Sequence, residues 1–310
     1  MRTRPLLHVG YHKTGTTLLQ KRVFRDAGTG FALVAGVDDL QPVFVDPNPF
    51  GFDPAEARRS FGSGIGQAQE RGLVPVLSYE RLSGSPHAGG YDSKQIADRL
   101  AATFPDARVM VVIREQSSMV VSLYKVYVRM GGTASLRQYV DPPPQSSARA
   151  PLFRFDFLEY HRLIGYYQQL FGSEDVLVLP YELLEERPKR FLVRLGEFAA
   201  VPTAVTSVRL KPVNVSPSAF ALSVKRQANK WLVRSALNPS PVLLLHLPND
   251  PLRALTNRID RKLPTRLRAV SDERWRGFAE VQLGTRYAKS NALTEKLTGL
   301  DLKAFGYTCQ

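Results

Sequence analysis

The sequence predicts an α/β fold of three layers, with a central parallel sheet covered by helices on both faces. Four short runs are apolar on both of their faces, which predicts fully buried strands. Stretches with helical spacing of apolar residues lie between these runs. Because strand and helix alternate, we expect parallel strands joined by right-handed crossovers. The predicted strands are residues 6–9, 74–79, 108–113 and 175–179.

Helices are predicted between the strands from apolar spacing and from start signals. Asp53, Pro54 and Glu56 form an N-cap, a first helical proline and a capping glutamate, so a helix begins there. Glycines at 62, 64 and 66 argue against its continuation. The other helices are predicted after the first strand, over 96–104, from about 117 to 130, over 155–171 and 188–198, and as one long final helix over about 271–297.

Composition places the chain among ordered proteins without disulfides. The 310 residues are 44% hydrophobic and 23% charged, and the single cysteine, Cys309, cannot form an internal disulfide or a multi-cysteine zinc site. The apolar run at 6–9 is too short for a signal-peptide core, and the longest apolar run, 242–247, is far shorter than a membrane span. We therefore expect a cytoplasmic protein that crosses no bilayer.

Positive charge is concentrated in one segment. The chain has 42 basic and 28 acidic residues, a net charge of +14, and residues 209–268 hold twelve Lys or Arg against Asp250 and Asp260. Such a segment attracts an anionic partner or is simply a solvated basic face. We expect one domain over 1–310, with a basic C-terminal elaboration at about 209–270.

Within this basic segment, residues 218–235 have an amphipathic helical pattern. Phe220, Val224, Ala228, Trp231 and Leu232 fall on one face, with basic side chains elsewhere around the helix. A face of this kind usually packs in the core of its own domain. The alternative is docking on an anionic membrane, as a peripheral contact at the inner membrane face.

A glycine-containing loop follows the first predicted strand and leads into a helix. Its sequence is GYHKTGTT, from Gly10 to Thr17. Backbone N–H groups and the helix N-terminus would face one spot there, and Lys13, Thr16 and Thr17 would add side-chain donors. The loop therefore predicts a phosphate site, the alternative being a mere strand-to-helix turn.

The loop differs from that of the nucleotide hydrolases. Lys13 precedes the second glycine instead of following it, and the third predicted strand ends in Arg114, where those enzymes need a magnesium-holding acid. We therefore expect protein cations and no metal. Arg114 and Ser122, eight residues later, could bind a second phosphate, although Arg114 could instead pair with Glu115 and Ser122 could be a structural helix serine.

Four segments carry a family resemblance. They read HVGYHKTGTTLLQ, VVIREQSSMVVSLYK, VLVLPYELLEERP and RYAKSNALTEKLTGLDLKAFGY. In order and spacing they resemble the sulfotransferase superfamily, particularly its bacterial branch. That family transfers a sulfonyl group from 3'-phosphoadenosine 5'-phosphosulfate to a hydroxyl or an amine. The resemblance covers residues 6–25, 74–130, 174–216 and 285–307.

The resemblance implies a role for each matching residue. Arg114 and Ser122 would hold the 3'-phosphate, and Tyr181 would lie near the adenine. Leu18 stands where cytosolic relatives place a tryptophan over the adenine. The 5'-phosphosulfate would be held by Lys13, Thr14, Gly15, Thr16 and Thr17, and the bacterial equivalent of a late loop would supply Lys211, Asn214 and Ser216.

The expected chemistry needs a cation at the leaving phosphate and a base at the acceptor. Lys13 suits the first role. Glu80, just past the second predicted strand, is the leading base and His12 the second; Glu80 could instead be a surface residue paired with Arg81.

These residues favour a sulfotransferase enzyme acting on a small-molecule or glycan acceptor, with a carbohydrate or glycolipid hydroxyl as the expected site. A nucleotide kinase with a divergent loop is the runner-up enzyme. A membrane- or nucleic-acid-binding module using 209–268 is the alternative of another class. Because no recognition-helix or RNA-binding motif is present, we expect no nucleic-acid partner.

Overall fold

The computed structural model describes residues 3–141, 153–201, 216–232 and 251–309. The chain divides into two compact units. The first comprises Met1–Glu115, Asp156–Val213 and Tyr287–Gln310, and the second comprises Gln116–Phe155 and Asn214–Arg286. The single domain with a basic elaboration at about 209–270 stays a prediction.

The first unit contains a five-stranded parallel sheet. Its strands, in chain order, are β1 (Leu6–His8), β2 (Phe31–Ala35), β3 (Val74–Ser78), β4 (Arg108–Ile113) and β5 (Val176–Pro180). Their order across the sheet is β2-β3-β1-β4-β5. His8 of β1 lies opposite Ser78 on one side and Met110 on the other. The parallel sheet is confirmed, and four of its strands are the predicted ones.

Strand β2 is the one that the sequence analysis missed. It lies at the edge of the sheet, pairs only with β3 among its neighbours, and shifts register between Leu33 and Ala35. Three of its five residues are half-buried, and glycines flank it on both sides. A short, alanine-containing edge strand carries a weak pattern because β propensity reflects packing on a half-buried surface.

The helices alternate with these strands. In chain order they are α1 (Thr16–Leu19), which continues as a π-helical stretch (Gln20–Phe24), α2 (Val37–Leu40), α3 (Pro54–Glu70), α4 (Ser93–Thr103), α5 (Gln116–Arg129), α6 (Leu136–Val140), α7 (Tyr160–Phe171), α8 (Tyr181–Glu186), α9 (Pro188–Ala199), α10 (Ala219–Leu232), α11 (Pro251–Lys262), α12 (Thr265–Leu283) and α13 (Ala288–Thr298). Among the described residues, no helix combines the length and the apolar character that a membrane span requires.

Helices cover both faces of the sheet, so the predicted three layers are confirmed. The crossover from β1 to β2 runs in one direction along the sheet, and those from β2 to β5 run in the other, so right-handed crossovers place them on opposite faces. On the first face, Met110 and Val112 pack with Phe24 and with Phe191 and Leu195 of α9. On the other, α3 packs against β2 and β3, and α7 packs against β4 and β5.

Two helix predictions need correction. Helix α3 begins after Asp53 as expected but continues through all three glycines to Glu70, held by the buried side chains of Ala57, Phe61 and Ala68. The long final helix over 271–297 is two helices instead, α12 and α13. The chain breaks at Gly284, whose φ of +47° is costly for other residues, while the predicted end at Gly299 is confirmed.

The second unit packs α10 against α5, α11 and α12. Asn229 of α10 donates from Nδ2 to the backbone oxygens of Val128 and Gly132, at 2.8 and 3.0 Å. Lys125 of α5 pairs with Asp272 of α12 at 2.7 Å between Nζ and Oδ1. The hydrogen bonds of Asn229 place a polar side chain of α10 on its buried side.

The apolar face of α10 is therefore not packed in the core of its domain, which is where such a face usually lies. Phe220, Val224 and Trp231 are 39%, 42% and 52% exposed. The buried side of α10 is formed instead by Ala221, Leu222, Lys225 and Asn229. The interpretation of this face as core is wrong for the three large side chains, because small and polar residues make the close approach to α5.

Candidate functional site

The loop after β1 turns directly from the sheet into α1. Val9 and Tyr11 donate from their backbone N–H groups to Met110 and Val112 at 2.8 and 3.2 Å, which extends the pairing with β4. Thr14 Oγ1 donates to the carbonyl of Tyr11 at 2.5 Å. The loop is thus fixed to the sheet at its start and tied back on itself, as a rigid anion site requires.

The backbone of this loop has the alternation typical of an anion-binding concavity. Lys13 and Gly15 have φ of +66° and +87°, whereas Thr14 between them does not have a positive φ. A Cβ at Gly15 would lie 2.8 Å from Leu184 Cδ2, so only glycine fits without a shift. Alternating backbone conformations of this kind turn successive N–H groups toward one spot. The predicted phosphate loop thus has the expected shape.

Side-chain donors complete the loop. Thr16 is 5% exposed, and its Oγ1 has no hydrogen-bond partner among the residues that the structure describes. The first N–H groups of a helix also lack partners within the helix. A buried unpaired hydroxyl costs about 1–3 kcal/mol, which a bound phosphate oxygen would offset. The donors of this loop therefore fit a phosphate group.

Arg114, at the end of β4, contacts both the loop after β1 and the start of α8. It follows β4 directly, and its Nη1 donates to the carbonyl of Lys13 at 3.1 Å. Its guanidinium lies 4.8 Å from the ring centroid of Tyr181, the first residue of α8. Tyr160 donates from its hydroxyl to the carbonyl of Arg114 at 2.5 Å. Three sequence-predicted residues, Lys13, Arg114 and Tyr181, are thereby brought together.

Two supporting residues were not predicted. Glu182 accepts the backbone N–H of Glu115 at Oε1, at 2.9 Å, and the hydroxyl of Tyr307 at Oε2, at 3.1 Å. Burial raises the pKa of Glu182, and burial together with Glu185 raises the pKa of Tyr181 to about 12. Both Glu182 and Tyr307 lie in segments that carry the family resemblance, but their pairing across the chain has no local sequence signal.

Glu80 lies just past the end of β3, the strand next to β1. Strand β3 pairs with β1, Tyr79 donates its N–H to the carbonyl of His8 at 3.3 Å, and Glu80 begins the following 3-10 turn. Glu80 is half-buried. Its neighbour Arg81 forms an ion pair with Asp92. This arrangement places Glu80 at the same sheet edge as the loop.

His12 sits in the loop beside Lys13 with its Nδ1 buried and without a partner among the described residues. Burial is the largest cause that lowers the pKa of His12 to about 3, with smaller contributions from His87, Arg81 and Lys13. The imidazole is therefore neutral at pH 7, and its burial contributes more to this than the charge of Lys13 does.

The remaining predicted residues lie elsewhere. Ser122 is buried in the second unit, about two turns into α5, which begins at Gln116. Ser216, also in the second unit, is half-buried shortly before α10. Lys211 and Asn214 lie outside the described residues. The binding roles of these four residues stay predictions.

Comparison with known proteins finds relatives among solved structures only. No family model and no curated protein matches the chain. A sulfotransferase from Alicyclobacillus acidocaldarius is 15% identical, covers 99% of this chain and 100% of its own, and superposes with a TM-score of 0.52. This similarity shows a shared fold.

Two further structures superpose more weakly. The sulfotransferase domain of the Synechococcus PCC 7002 olefin synthase is 12% identical, covers 84% of this chain and 97% of its own, and has a TM-score of 0.37. Mouse sulfotransferase SULT7A1, complexed with PAP, is 14% identical, covers 95% of this chain and 90% of its own, and has a TM-score of 0.35. At such TM-scores neither adds to the fold assignment.

Proposed function

We propose that this chain, which has the fold of the sulfotransferases, transfers a sulfonyl group from 3'-phosphoadenosine 5'-phosphosulfate to an acceptor hydroxyl. The acceptor class we propose is a carbohydrate or glycolipid. The observation that carries the proposal is the placement of Arg114, which bonds the carbonyl of Lys13 and stacks on Tyr181. An arginine in this position brings a guanidinium, which can bind a phosphate, between the loop and an aromatic ring.

The residues present fit such a donor. The Thr16 hydroxyl and the N–H groups of the loop would hold the 5'-phosphosulfate, with Thr14 Oγ1 already used to close the loop. Arg114 would hold the 3'-phosphate, and Tyr181 would lie against the adenine. When bound, this donor supplies the activated sulfonyl group.

Lys13 and Glu80 divide the charge and proton chemistry between them. As the acceptor oxygen bonds to sulfur, the bond from sulfur to the phosphate oxygen breaks, and the Lys13 ammonium offsets the charge left on that phosphate. The proton of the acceptor hydroxyl passes to Glu80. Arg114 fixes the loop through the Lys13 carbonyl, so it also positions the ammonium.

We prefer Glu80 to His12 as the base. Because the pKa of His12 is lowered to about 3, its protonation is unfavourable. The neighbouring His87, Arg81 and Lys13 contribute to this lowering. A base must carry the proton it removes, so this environment opposes the role. His12, which is itself a residue of the loop, would instead help to shape it.

The direct test incubates the protein with donor carrying a radiolabelled sulfonate and with fractionated glycans and glycolipids. Labelled product with a sulfate ester on a hydroxyl supports the proposal. A Lys13→Ala variant supplies the inactive control, and Lys21→Ala, exposed on the π-helical stretch, is its matched surface control. Absence of label in every fraction, together with phosphoryl transfer from ATP, would replace the proposal with a nucleotide kinase.

A further inference from the structure

Helix α10 presents an exposed apolar face in the part of the chain that the structure describes. Phe220, Val224 and Trp231 recur at helical spacing and are 39%, 42% and 52% exposed. The opposite side of the helix is buried against α5, α11 and α12 through Leu222, Lys225 and Asn229. The exposed face is therefore a feature of a packed helix and not of a frayed end.

The charges on and beside this helix are mostly positive. Helix α12, which packs against it, contains four arginines and the acidic residues Asp272, Glu273 and Glu280. Helix α10 itself contains no acidic residue, and α11, also packed against it, contains only Asp260. That carboxylate is engaged internally, because Ser218 donates to it from its N–H at 2.9 Å and from Oγ at 2.5 Å. Helix α11 exposes Arg258, Arg261 and Lys262. An anionic partner therefore complements the net positive charge of this surface.

A cavity in the same unit repeats this preference. It has a volume of about 250 Å³ and lies among α5, α10 and α11. Three cationic side chains line it, Arg129, Lys225 and Arg253, and Lys225 is buried within the protein. None of the described residues that line it is acidic. The cavity therefore adds three cations to those of this surface.

We propose that the apolar face of α10 docks the protein on an anionic membrane surface, with the cations of α10 and α11 facing the lipid phosphates. Aromatic and aliphatic side chains beside Lys and Arg are typical of helices that lie in the lipid interface. A second copy of the chain would bring like charges together, and a nucleic acid would use the cations without burying Val224. This inference does not depend on the proposed sulfonyl transfer.

The experiment is sedimentation of the full chain with vesicles of phosphatidylcholine alone and of phosphatidylcholine mixed with phosphatidylserine. We expect binding to the mixed vesicles only. Lys230→Ala, which removes an exposed cation of α10, should weaken binding about five-fold. The double variant Phe220→Ser/Trp231→Ser should weaken it at least ten-fold, because two interfacial anchors are lost.

Controls separate the surface from general effects. Val281→Ser, on α12 of the same unit and 79% exposed, should bind as the unaltered chain does. Unchanged circular dichroism of the double variant shows that loss of binding is not loss of folding.

Three outcomes would overturn the proposal. These are equal sedimentation with neutral and anionic vesicles, binding by the double variant equal to that of the unaltered chain, and a dimer in light scattering that the double variant alone abolishes. Competition by inorganic phosphate with no effect of the apolar substitutions would likewise assign the cations to a free anion. Competition by duplex DNA with the same insensitivity would assign them to nucleic acid.

Discussion

The site at the loop after β1 and the surface of α10 both contain cations, but they hold them differently. Beside the loop, Arg114 is bonded to the Lys13 carbonyl and stacked on Tyr181, so its position is fixed. On α10, Lys230 is exposed and lies on the same helix as an apolar face. Fixed donors recognise the shape of one ligand, whereas exposed cations attract any anionic surface. The first arrangement suits a cofactor and the second a membrane.

The largest expected effect lies on the side of the fixed site. Glu80→Gln should lower turnover about 10²–10⁴-fold, since the carboxylate that accepts the proton is lost. The affinity for 3'-phosphoadenosine 5'-phosphate should be nearly unchanged, because Glu80 begins the 3-10 turn after β3 and is not part of the loop. Single-turnover kinetics and calorimetry measure the two quantities. Near-normal turnover, with His12→Asn inactive yet still able to bind, would transfer the role to the histidine.

A matched pair of lysines sharpens the comparison. Lys13→Ala should lower kcat about 10²–10³-fold, because a fixed charge at the leaving group is removed. Lys230→Ala on α10 should leave kcat unchanged and alter only vesicle binding. Steady-state kinetics in the absence of lipid compares the two variants. Equal losses of kcat would mean that both lysines act through net charge and would remove the distinction between the two regions.

Acid stability provides the smallest effect. Burial lowers the pKa of both His12 and His8 to about 3 from an ordinary value of 6.5, so the folded protein binds fewer protons than the unfolded chain. The stabilisation is present above pH 6.5 and is lost as the pH falls toward 3, with a slope of about 1.4 kcal/mol per pH unit for each histidine. We expect the free energy of unfolding, measured with urea between these pH values, to depend less steeply on pH in His12→Asn than in the unaltered chain. If the pH dependence of the free energy of unfolding is unchanged in this variant, His12 has an ordinary pKa in the folded protein.

The sequence predicted the sheet and the loop because both depend on local patterns. Apolar runs identified four strands, and the glycine spacing of the loop placed the anion site after the first of them. Strand β2 was not predicted, because an edge strand that includes half-buried residues shows little contrast between apolar and polar positions. The break at Gly284 escaped because apolar spacing resumes after it, so the pattern looks continuous.

The contacts of the site were predictable only in part. Arg114, Lys13 and Tyr181 were each identified from position after a strand or from resemblance. The hydrogen bond and the ring contact that join them depend on the order of β1, β4 and β5 across the sheet, which no local pattern contains. The exposure of Trp231 was missed because helical spacing identifies an apolar face but not what packs against it.

The central claim is that protein cations, fixed at two places, replace a metal in binding a doubly phosphorylated adenosine. Calorimetric titration without magnesium tests it, comparing 3'-phosphoadenosine 5'-phosphate with ATP on the unaltered chain, Arg114→Ala and Arg108→Ala. Arg108 lies at the other end of β4 and faces Asp175, which makes it the matched control. We expect tight binding of the first ligand, much weaker binding of ATP, and a loss of about 2–5 kcal/mol in Arg114→Ala alone. Equal affinity for the two ligands, or binding that requires magnesium, would contradict the account.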